Sequence, residues 1–484
     1  TKGNFKDNFA FNFQICEEEN NWLEKVSNDN TCTKGDIVRW LIAYNQTLNV
    51  HKKDDSSKLE NPIVNNINML LVNHKYDQLS IYINKQEIST LLESGSPEIL
   101  LKAIDYISTE LNSFKFNLLK AKLYWFIGDS TSALSILEEL TTINVINKQE
   151  HVQVNTLKAD ILIDIGKPLV AESILKYTEN QYSDGCNSTF YNKLGLSTFY
   201  TDNLESVKSK YQLALKKSCN NTELAIAHRY LGSISYTLGK FEEAENHFSK
   251  SLLLFNNKNC NKDEYTRLLI TYAEFEAANT NWNKARKYAQ ESVEIAREIN
   301  HQKLKAWSKR ILSEIYFNIQ DESKAVETID KSIAISKSIG AFTGLSRGYI
   351  AKAKYLILLK RFTEANALLS AAKKLEKKVT EDSIYNYDSV THWETLLNFF
   401  EKGVSNYSLL HKHSNLLRIK NHSLDENSND YILGYMYLSS NDNNNQSRGN
   451  QIIKRLHHFS MEAGNKKLQF ATESLLRFNK FLLP

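Results

Sequence analysis

The 484-residue sequence contains few segments whose residue types and spacing could support catalysis. Gly344, Ser346 and Gly348 fit the G-x-S-x-G nucleophile elbow of serine hydrolases, but that elbow requires a strand before it and a helix after it. No strand pattern precedes Ser346, which instead opens an amphipathic helix pattern. The sequence also lacks the G-x-x-x-x-G-K-S/T phosphate-binding loop and the H-E-x-x-H zinc pair. We therefore expect no catalytic centre, no metal site and no cofactor.

A binding surface is indicated instead, because arginine, aromatic and acidic residues recur at helical spacing in the second half of the chain. Trp307, Arg310 and Glu314 are separated by three and four residues, which places them on one face of a helix. Arginine and aromatic side chains are enriched in binding hot spots. Taken singly, these residues have a structural alternative, since Arg310 and Glu314 could form an exposed ion pair and Trp307 could pack between helices. Equivalent stripes in neighbouring segments complete the residues expected to contact a partner: Arg229, Tyr236, Arg267, Glu274, Trp307, Arg310, Glu314, Arg347 and Lys354.

The elements that would position this surface are repeated helix pairs. Within residues 225–254, one helical stripe ends at Gly239 and a second begins at Phe241, which predicts a helix hairpin. Residues equivalent to Ala244 recur along the chain with successive gaps of 38, 36, 37, 41, 40 and 40 residues. Such a period is typical of a helical-repeat solenoid. The seven anchors are Ala133, Ala171, Val207, Ala244, Ala285, Ala325 and Ala365.

The hairpin around Ala244 resembles the tetratricopeptide repeat (TPR), which it matches at Leu231, Gly232, Gly239, Ala244, Phe248 and Ser251. His228 departs from the pattern, because the family often has Trp there. The resemblance implies an all-α fold, a right-handed superhelical solenoid of about seven hairpins in which the first helix of each hairpin lines a concave groove. The partner-contacting residues are then expected in that groove between Ile226 and Ile357, and the groove of the first three repeats is expected to be weakly charged.

The regions outside the seven hairpins follow the pattern less closely. A polar run after the helix pattern at Gly35–Val50 predicts a linker, and the asparagine-rich run near 441–450 predicts a disordered loop. A final helix over Gln451–Phe481 could cover the exposed apolar end of the solenoid. The expected divisions are an N-terminal helical segment and linker at 1–60, degenerate helical pairs at 61–113, the TPR-like superhelix at 114–380 and degenerate C-terminal repeats with a cap at 381–484.

Composition argues against several other classes of protein. Lys and Arg total 60 against 56 Asp and Glu, and the net charge of +4 is spread along the chain, whereas proteins that bind nucleic acid cluster their basic residues. No run of about 18 apolar residues is present, so no membrane span is expected. The 5 cysteines are far apart and form no C-x-x-C pair, which is typical of reduced thiols in a cytoplasmic protein.

The resulting functional expectation is a non-catalytic module that binds a protein or peptide ligand in its groove. The last three repeat gaps exceed the usual TPR period of about 34 residues, and long-period repeats of this kind resemble the sensor regions of STAND-type ATPases. That resemblance implies the ligand-sensing C-terminal part of a larger microbial signalling or antiviral defence protein, with an NTPase region upstream of Thr1. The alternative is a constitutive scaffold in a multiprotein assembly. A peptide-responsive transcription regulator is more remote, because residues 1–60 contain no basic recognition helix.

Overall fold

A computed structural model describes residues 61–108, 114–142, 147–199, 202–255, 261–380, 390–419 and 421–482. The chain divides into two compact units, Thr1–Leu59 and Glu60–Pro484. The first unit, with the expected helix at Gly35–Val50, lies outside the described residues. Throughout the described ranges the regular structure is helical, and no strand occurs in them. The predicted all-α fold is therefore confirmed.

The predicted helix hairpins are present, and we name each hairpin for its anchor. In chain order, from the Ala133 to the Ala365 hairpin, the first and second helices are Phe114–Ile127 with Ser130–Thr142, Lys148–Asp164 with Pro168–Tyr182, Ser188–Thr198 with Leu204–Lys216, Asn221–Thr237 with Phe241–Phe255, Lys262–Ala278 with Trp282–Glu298, Gln302–Asn318 with Glu322–Ser338, and Phe342–Leu358 with Phe362–Thr380. A short 3-10 helix at Ser183–Gly185 follows the Ala171 hairpin.

Further helices flank the hairpins on both sides. The single final helix expected over Gln451–Phe481 is divided in two, because Gly464 adopts a positive φ of 76° and ends the first of them. The helices before the Ala133 hairpin are Pro62–Val72, Tyr76–Lys85, Ile88–Leu92 and Pro97–Ser108, and those after the Ala365 hairpin are Thr391–Lys402, Tyr407–Ile419, Ser423–Leu438, Asn443–Ala463 and Lys466–Phe478.

The segment near 441–450, expected to be a disordered loop, is instead mostly helical because it begins the helix Asn443–Ala463. The Asp442 side chain accepts a hydrogen bond from the backbone N–H of Asn444 and so caps this helix. Further along, Ile453 is fully buried in an apolar cluster with the preceding helix. Tertiary packing therefore outweighs the low helix propensity of the asparagine run.

Close packing within each hairpin follows from the small residues of the repeat pattern. All seven anchors have 0% of their surface exposed. A Cβ atom on Gly232 would lie 2.8 Å from Cδ1 of Phe248, so glycine allows the two helices of the Ala244 hairpin to approach this closely. The same holds in the Val207 hairpin, where a Cβ on Gly195 would lie 2.4 Å from Cε1 of Tyr211.

The turn inside six of the hairpins contains a residue in the left-handed region, five positions before the anchor. Glycine fills this position in three hairpins, at Gly128, Gly166 and Gly239. Residues with a Cβ are strained there, because the Cβ crowds the following carbonyl oxygen. Three later hairpins nevertheless place Thr280, Gln320 and Lys360 at this position, with φ of 59°, 65° and 58°.

Successive turns of the solenoid are in direct contact. A Cβ atom on Gly128 would lie 2.6 Å from Cβ of Ile339, although the two residues belong to different turns. Nearer the C-terminus, Asn203 Nδ2 donates a 3.4 Å hydrogen bond to the backbone oxygen of Ile419, 216 positions away. The helices Ser423–Leu438 and Lys466–Phe478 likewise contact the first helices of the Ala244 and Ala285 hairpins. We call the concave surface formed by the first helices the inner face.

Candidate partner-binding site

The nine residues predicted to contact a partner lie on the first helices of four consecutive hairpins, Ala244 to Ala365. The structure separates most of them into two groups of charges. The Arg229 cluster comprises Arg229, Asp263, Glu264 and Arg267. The Lys354 cluster comprises Glu274, Arg310, Glu314, Arg347 and Lys354, together with Asp425 and Lys467 from the C-terminal helices.

The charged groups of the Arg229 cluster are paired within the protein, although Arg229 Nε and Asp263 Oδ1 are buried without a hydrogen-bond partner among the described residues. Arg229 is only 4% exposed, and its Nη2 donates a 2.8 Å hydrogen bond to Oε2 of Glu264. Arg267 forms an ion pair with Asp263, with 3.3 Å between Nε and Oδ1. Burial acts to raise the pKa of Glu264, but Arg229 and Arg267 outweigh it and lower that pKa to about 2. Arg229 therefore holds the first helices of the Ala244 and Ala285 hairpins together, whereas Arg267 pairs within its own helix.

Charged residues also line the first helices of the earlier hairpins, so the expectation of a weakly charged groove there is wrong. Lys193 Nζ lies 2.6 Å from Oδ2 of Asp160, and both side chains are largely buried. Burial acts to lower the pKa of Lys193, but Asp160 outweighs it and raises that pKa. A sequence signal was present, because Lys122 and Asp160 stand eleven residues before their anchors, the position that Glu314 also occupies.

Asp164 joins these earlier hairpins to the next turn of the solenoid. Its Oδ2 accepts hydrogen bonds from Trp125 Nε1 at 2.7 Å and from Lys303 Nζ at 2.8 Å. Beside this junction, the His301 ring is fully buried and lies 4.1 Å from the Phe126 ring, measured between centroids. Burial, reinforced by nearby cations, lowers the pKa of His301 well below its usual range, so this ring is neutral.

Three members of the predicted surface, Arg310, Glu314 and Trp307, adopt the structural roles that their sequence also allowed. Arg310 and Glu314 form an ion pair four residues apart on one helix. Burial acts to raise the pKa of Glu314, but Arg310, Lys354 and Lys467 outweigh it and lower that pKa. Trp307 packs against an apolar cluster that includes Ile270, and its buried Nε1 has no hydrogen-bond partner in the part of the chain that the structure describes.

Tyr236 lies at the edge of an aromatic group on the same face. Its ring meets those of Phe241 and Phe275 edge-on, with centroid distances of 5.5 Å and 5.6 Å. Burial and the nearby charge of Glu274 raise the pKa of Tyr236, so its hydroxyl stays protonated. The ring therefore offers apolar surface and a hydroxyl group beside the charged residues.

Three charged residues of the Lys354 cluster have no hydrogen bond or ion pair with any residue that the structure describes: Glu274, Lys354 and Lys467. All three are half-buried. Lys354 Nζ lies 4.7 Å above the centroid of the Trp393 ring, a cation–π contact. Burial raises the pKa of Glu274, lowers that of Lys354, and lowers that of Lys467 to about 8. Sequence reasoning missed Lys467, because its helix lies outside the recognisable repeats.

The chemistry available to this arrangement is electrostatic pairing and hydrogen bonding. Arg347 is exposed and lies near Glu274, so it can reach a partner from the rim of the cluster. Ser346 is buried within the helix Phe342–Leu358, where the backbone has no strand-to-helix elbow. Across the described residues, no group of three or more His, Cys, Asp or Glu side chains is placed to hold a metal ion. Nor does any helix in those residues have the length and apolar character needed to cross a bilayer.

The fold is similar to that of several solved structures. A Rap protein complexed with Competence and Sporulation Factor aligns with a TM-score of 0.56 and 13% identity, covering 72% of this chain and 98% of that one. A STAND protein with a TPR sensor from Pyrococcus horikoshii aligns with a TM-score of 0.40 and 14% identity, covering 78% of this chain and 55% of that one. The human IFIT1 dimer aligns with a TM-score of 0.43 and 12% identity, covering 88% of this chain and 96% of that one. No family model matches the sequence, and a search of curated proteins finds no match. Together with the hairpins, the structural similarity identifies a TPR-type α-solenoid.

Proposed function

We propose that this chain is a non-catalytic TPR module that binds a peptide or protein partner on its inner face, between Ile226 and Ile357. The observation that carries the proposal is the presence of Glu274 and Lys354 on this face, with Lys467 of a C-terminal helix nearby, all half-buried and without an ion pair or hydrogen bond among the described residues. Holding an unpaired charge partly away from water costs free energy. Nearby opposite charges recover only part of that cost on folding, because burial still dominates the pKa of each group, and a bound partner with complementary charges would recover more.

The predicted surface divides into residues that contact the partner and residues that support them. We assign direct contact to Tyr236, Glu274, Arg347 and Lys354. The supporting role falls to the residues engaged in internal ion pairs or apolar packing: Arg229, Arg267, Trp307, Arg310 and Glu314. A Rap protein of similar fold is complexed with Competence and Sporulation Factor, which supports the capture of another molecule by such a solenoid.

The finer form of the proposal is that the module is the ligand sensor of a larger cytoplasmic signalling or defence protein of the STAND type. Its support is the resemblance of the long repeat period to such sensors. Sequencing the complete gene tests this form directly, because a STAND protein must encode a phosphate-binding NTPase region upstream of Thr1. A gene without such a region would contradict the proposal of a STAND sensor, but it would not contradict the proposal that the chain is a binding module.

The scaffold alternative receives less support from the exposed surface. A constitutive scaffold would use large apolar areas on its outer faces. Large exposed apolar side chains in the described ranges are dispersed from Met69 to Phe478. The helix Tyr407–Ile419 places three of them on one face, Leu409, Leu416 and Ile419, and the helices Pro62–Val72 and Pro168–Tyr182 place two each. The inner face is therefore the favoured location for the partner.

Photo-crosslinking in the native cells tests the location. With p-benzoylphenylalanine replacing Arg347, we expect a defined covalent adduct, whereas the same replacement of Lys331, exposed on the second helix of the Ala325 hairpin, should give none. Adducts from the Lys331 position alone would contradict the proposal.

Removing a single charge provides a second test. Arg347→Gln should weaken partner capture at least tenfold without setting a like charge beside Glu274, and Lys331→Gln is the matched control. Reversing Arg229 or Arg310 is unsuitable for this purpose, since either change would leave Glu264 or Glu314 facing a like charge in a largely buried place.

A further inference from the structure

Successive turns of the solenoid meet in a constant register, in which each contact joins hairpins that are five apart. The Phe126 ring of the Ala133 hairpin packs against His301, the residue that precedes the first helix of the Ala325 hairpin, with 4.1 Å between ring centroids. One hairpin further on, Thr343 Oγ1 of the Ala365 hairpin donates a 3.1 Å hydrogen bond to the backbone oxygen of Asp164 in the Ala171 hairpin. In both cases the end of one first helix meets the beginning of a first helix in the next turn.

The same register continues on both sides of these hairpins, when the flanking helix pairs are counted as hairpins. The backbone N–H of Lys262, which begins the first helix of the Ala285 hairpin, donates a 2.8 Å hydrogen bond to Oε1 of Glu93, five hairpins earlier. Two later contacts are the 3.4 Å hydrogen bond from Asn203 to Ile419 and the approach of Phe459, whose Cζ would lie 3.2 Å from a Cβ on Gly239. Each of these also spans five hairpins, so one turn of the solenoid contains five.

A turn of five hairpins leaves little space at its centre, because neighbouring first helices contact one another and form the inner wall. Helices packed side by side have axes about 10 Å apart, so a ring of five places the axes on a circle about 17 Å across. Each helix is about 10 Å in diameter, which leaves a space about 7 Å wide. An extended chain fits this width, since strands in a sheet lie about 5 Å apart, but an α-helix does not.

The exposure of the inner residues agrees with a narrow space. Five hairpins carry a charged residue on the inner face, eleven positions before the anchor. Such side chains would be largely exposed in an open groove, because Lys, Glu and Asp are rarely buried. All five are instead half-buried: Lys122, Asp160, Glu274, Glu314 and Lys354.

We infer that the inner face is the wall of a closed axial channel, which admits a single extended peptide by its free end and excludes helices and folded domains. This inference rests on the function proposed above and names the form of the partner. The contacts between turns close the wall, so a segment with folded domains on both sides could not reach the inner face. The carboxylates of Asp160, Glu274 and Glu314 would repel the phosphates of a single-stranded nucleic acid, which favours a peptide.

Cysteine labelling tests the channel on the full chain and does not require the partner. Ser233→Cys places a thiol on the inner face, eleven positions before Ala244, and Ser209→Cys is the matched control, exposed on the second helix of the Val207 hairpin. Both are made in a chain whose 5 native cysteines are replaced by alanine. N-ethylmaleimide should label both positions. A maleimide on a rigid gold cluster wider than an α-helix should label position 209 but react at least tenfold more slowly at position 233.

Two labelling results would overturn the channel. If the ratio of the two labelling rates is the same at positions 233 and 209, the inner face is open to wide molecules. If N-ethylmaleimide fails to label position 233, side chains fill the space and no peptide can enter it.

Mass spectrometry of the adducts formed from position 347 tests the form of the partner. Two first helices of 17 residues placed end to end span about 50 Å, which an extended chain covers in about 15 residues. The crosslinked residue of the partner should therefore lie within about 15 residues of one end of its chain. A crosslink to the interior of a folded domain would overturn the inference and leave the proposed function standing. The absence of any adduct would instead contradict the proposed function, whereas the labelling result judges the channel independently.

Discussion

At the scale of single residues, one position of the repeat carries much of the ionisable chemistry of the inner face. The residue eleven places before the anchor is charged in five hairpins: Lys122, Asp160, Glu274, Glu314 and Lys354. The five residues differ in the residue with which each forms an ion pair. Glu314 pairs with Arg310 on its own helix, a spacing that the sequence shows directly, whereas Asp160 pairs with Lys193 of the next hairpin. Lys354 pairs with neither kind of neighbour, and this distinction requires the three-dimensional structure.

Asp164 gives a residue-scale prediction of stability and its pH dependence. Asp164→Asn should lower the free energy of unfolding by about 2 kcal/mol at pH 7, because it weakens charge-assisted hydrogen bonds from Trp125 and Lys303. Burial acts to raise the pKa of Asp164, but Lys303 outweighs it, so the pKa in the folded chain is lowered. The contribution of this carboxylate is therefore present above about pH 4 and is lost as the pH falls through the folded-state pKa.

Melting curves between pH 7 and 3 check this prediction. The melting temperature of the wild type should exceed that of Asp164→Asn at pH 7, and this difference should shrink as the pH falls towards 3. Asp330→Asn is the control, because Asp330 is half-exposed in its ion pair with Lys352 and should change stability by no more than about 1 kcal/mol. Parallel curves for wild type and Asp164→Asn at every pH would contradict the assigned role.

At the scale of helices and hairpins, the sequence predicts what depends on neighbouring residues. The anchors and the Gly239 turn are local features, and the hairpins that they predict are confirmed. The prediction of a disordered loop near 441–450 was wrong, because the helix there is stabilised by burying Ile453 and Leu456 against other elements. The local sequence pattern contains no information about that burial. The same limit applies to Lys467, whose position relative to the inner face depends on how several intervening helices pack.

The strained turns give a prediction at this scale. Thr280→Gly should raise the free energy of unfolding by about 0.5 to 1 kcal/mol, because a β-branched residue in the left-handed region is strained and glycine is not. The gain is reduced by the greater freedom of glycine in the unfolded chain. Gly340→Ala is the reverse control, since Gly340 has a φ of 63° and open space around its Cα, and this change should be destabilising. A lower melting temperature for Thr280→Gly would show that the Thr280 side chain stabilises its turn by more than its strain costs.

At the scale of the whole solenoid, contact between successive turns is what assembles the candidate site. The Asp164 to Lys303 ion pair joins residues 139 positions apart, and the Asn203 to Ile419 hydrogen bond joins residues 216 apart. No repeat period in the sequence encodes these distances, so the register between turns could not be predicted from it. The C-terminal helices reach the inner face through the same winding, so the position of Lys467 near Glu274 and Glu314 depends on this packing.

Gly128 tests whether the contact between turns maintains this winding. Gly128→Ala would place a Cβ 2.6 Å from Cβ of Ile339, so we expect a loss of about 1 to 3 kcal/mol from overpacking, in addition to the strain of a positive φ. Gly403→Ala is the control, because Gly403 also has a positive φ but has no neighbouring atom within 4 Å of where its Cβ would lie. Small-angle X-ray scattering should show a larger radius of gyration for Gly128→Ala alone. If both variants keep the wild-type radius, the Ile339 contact does not hold the turns together.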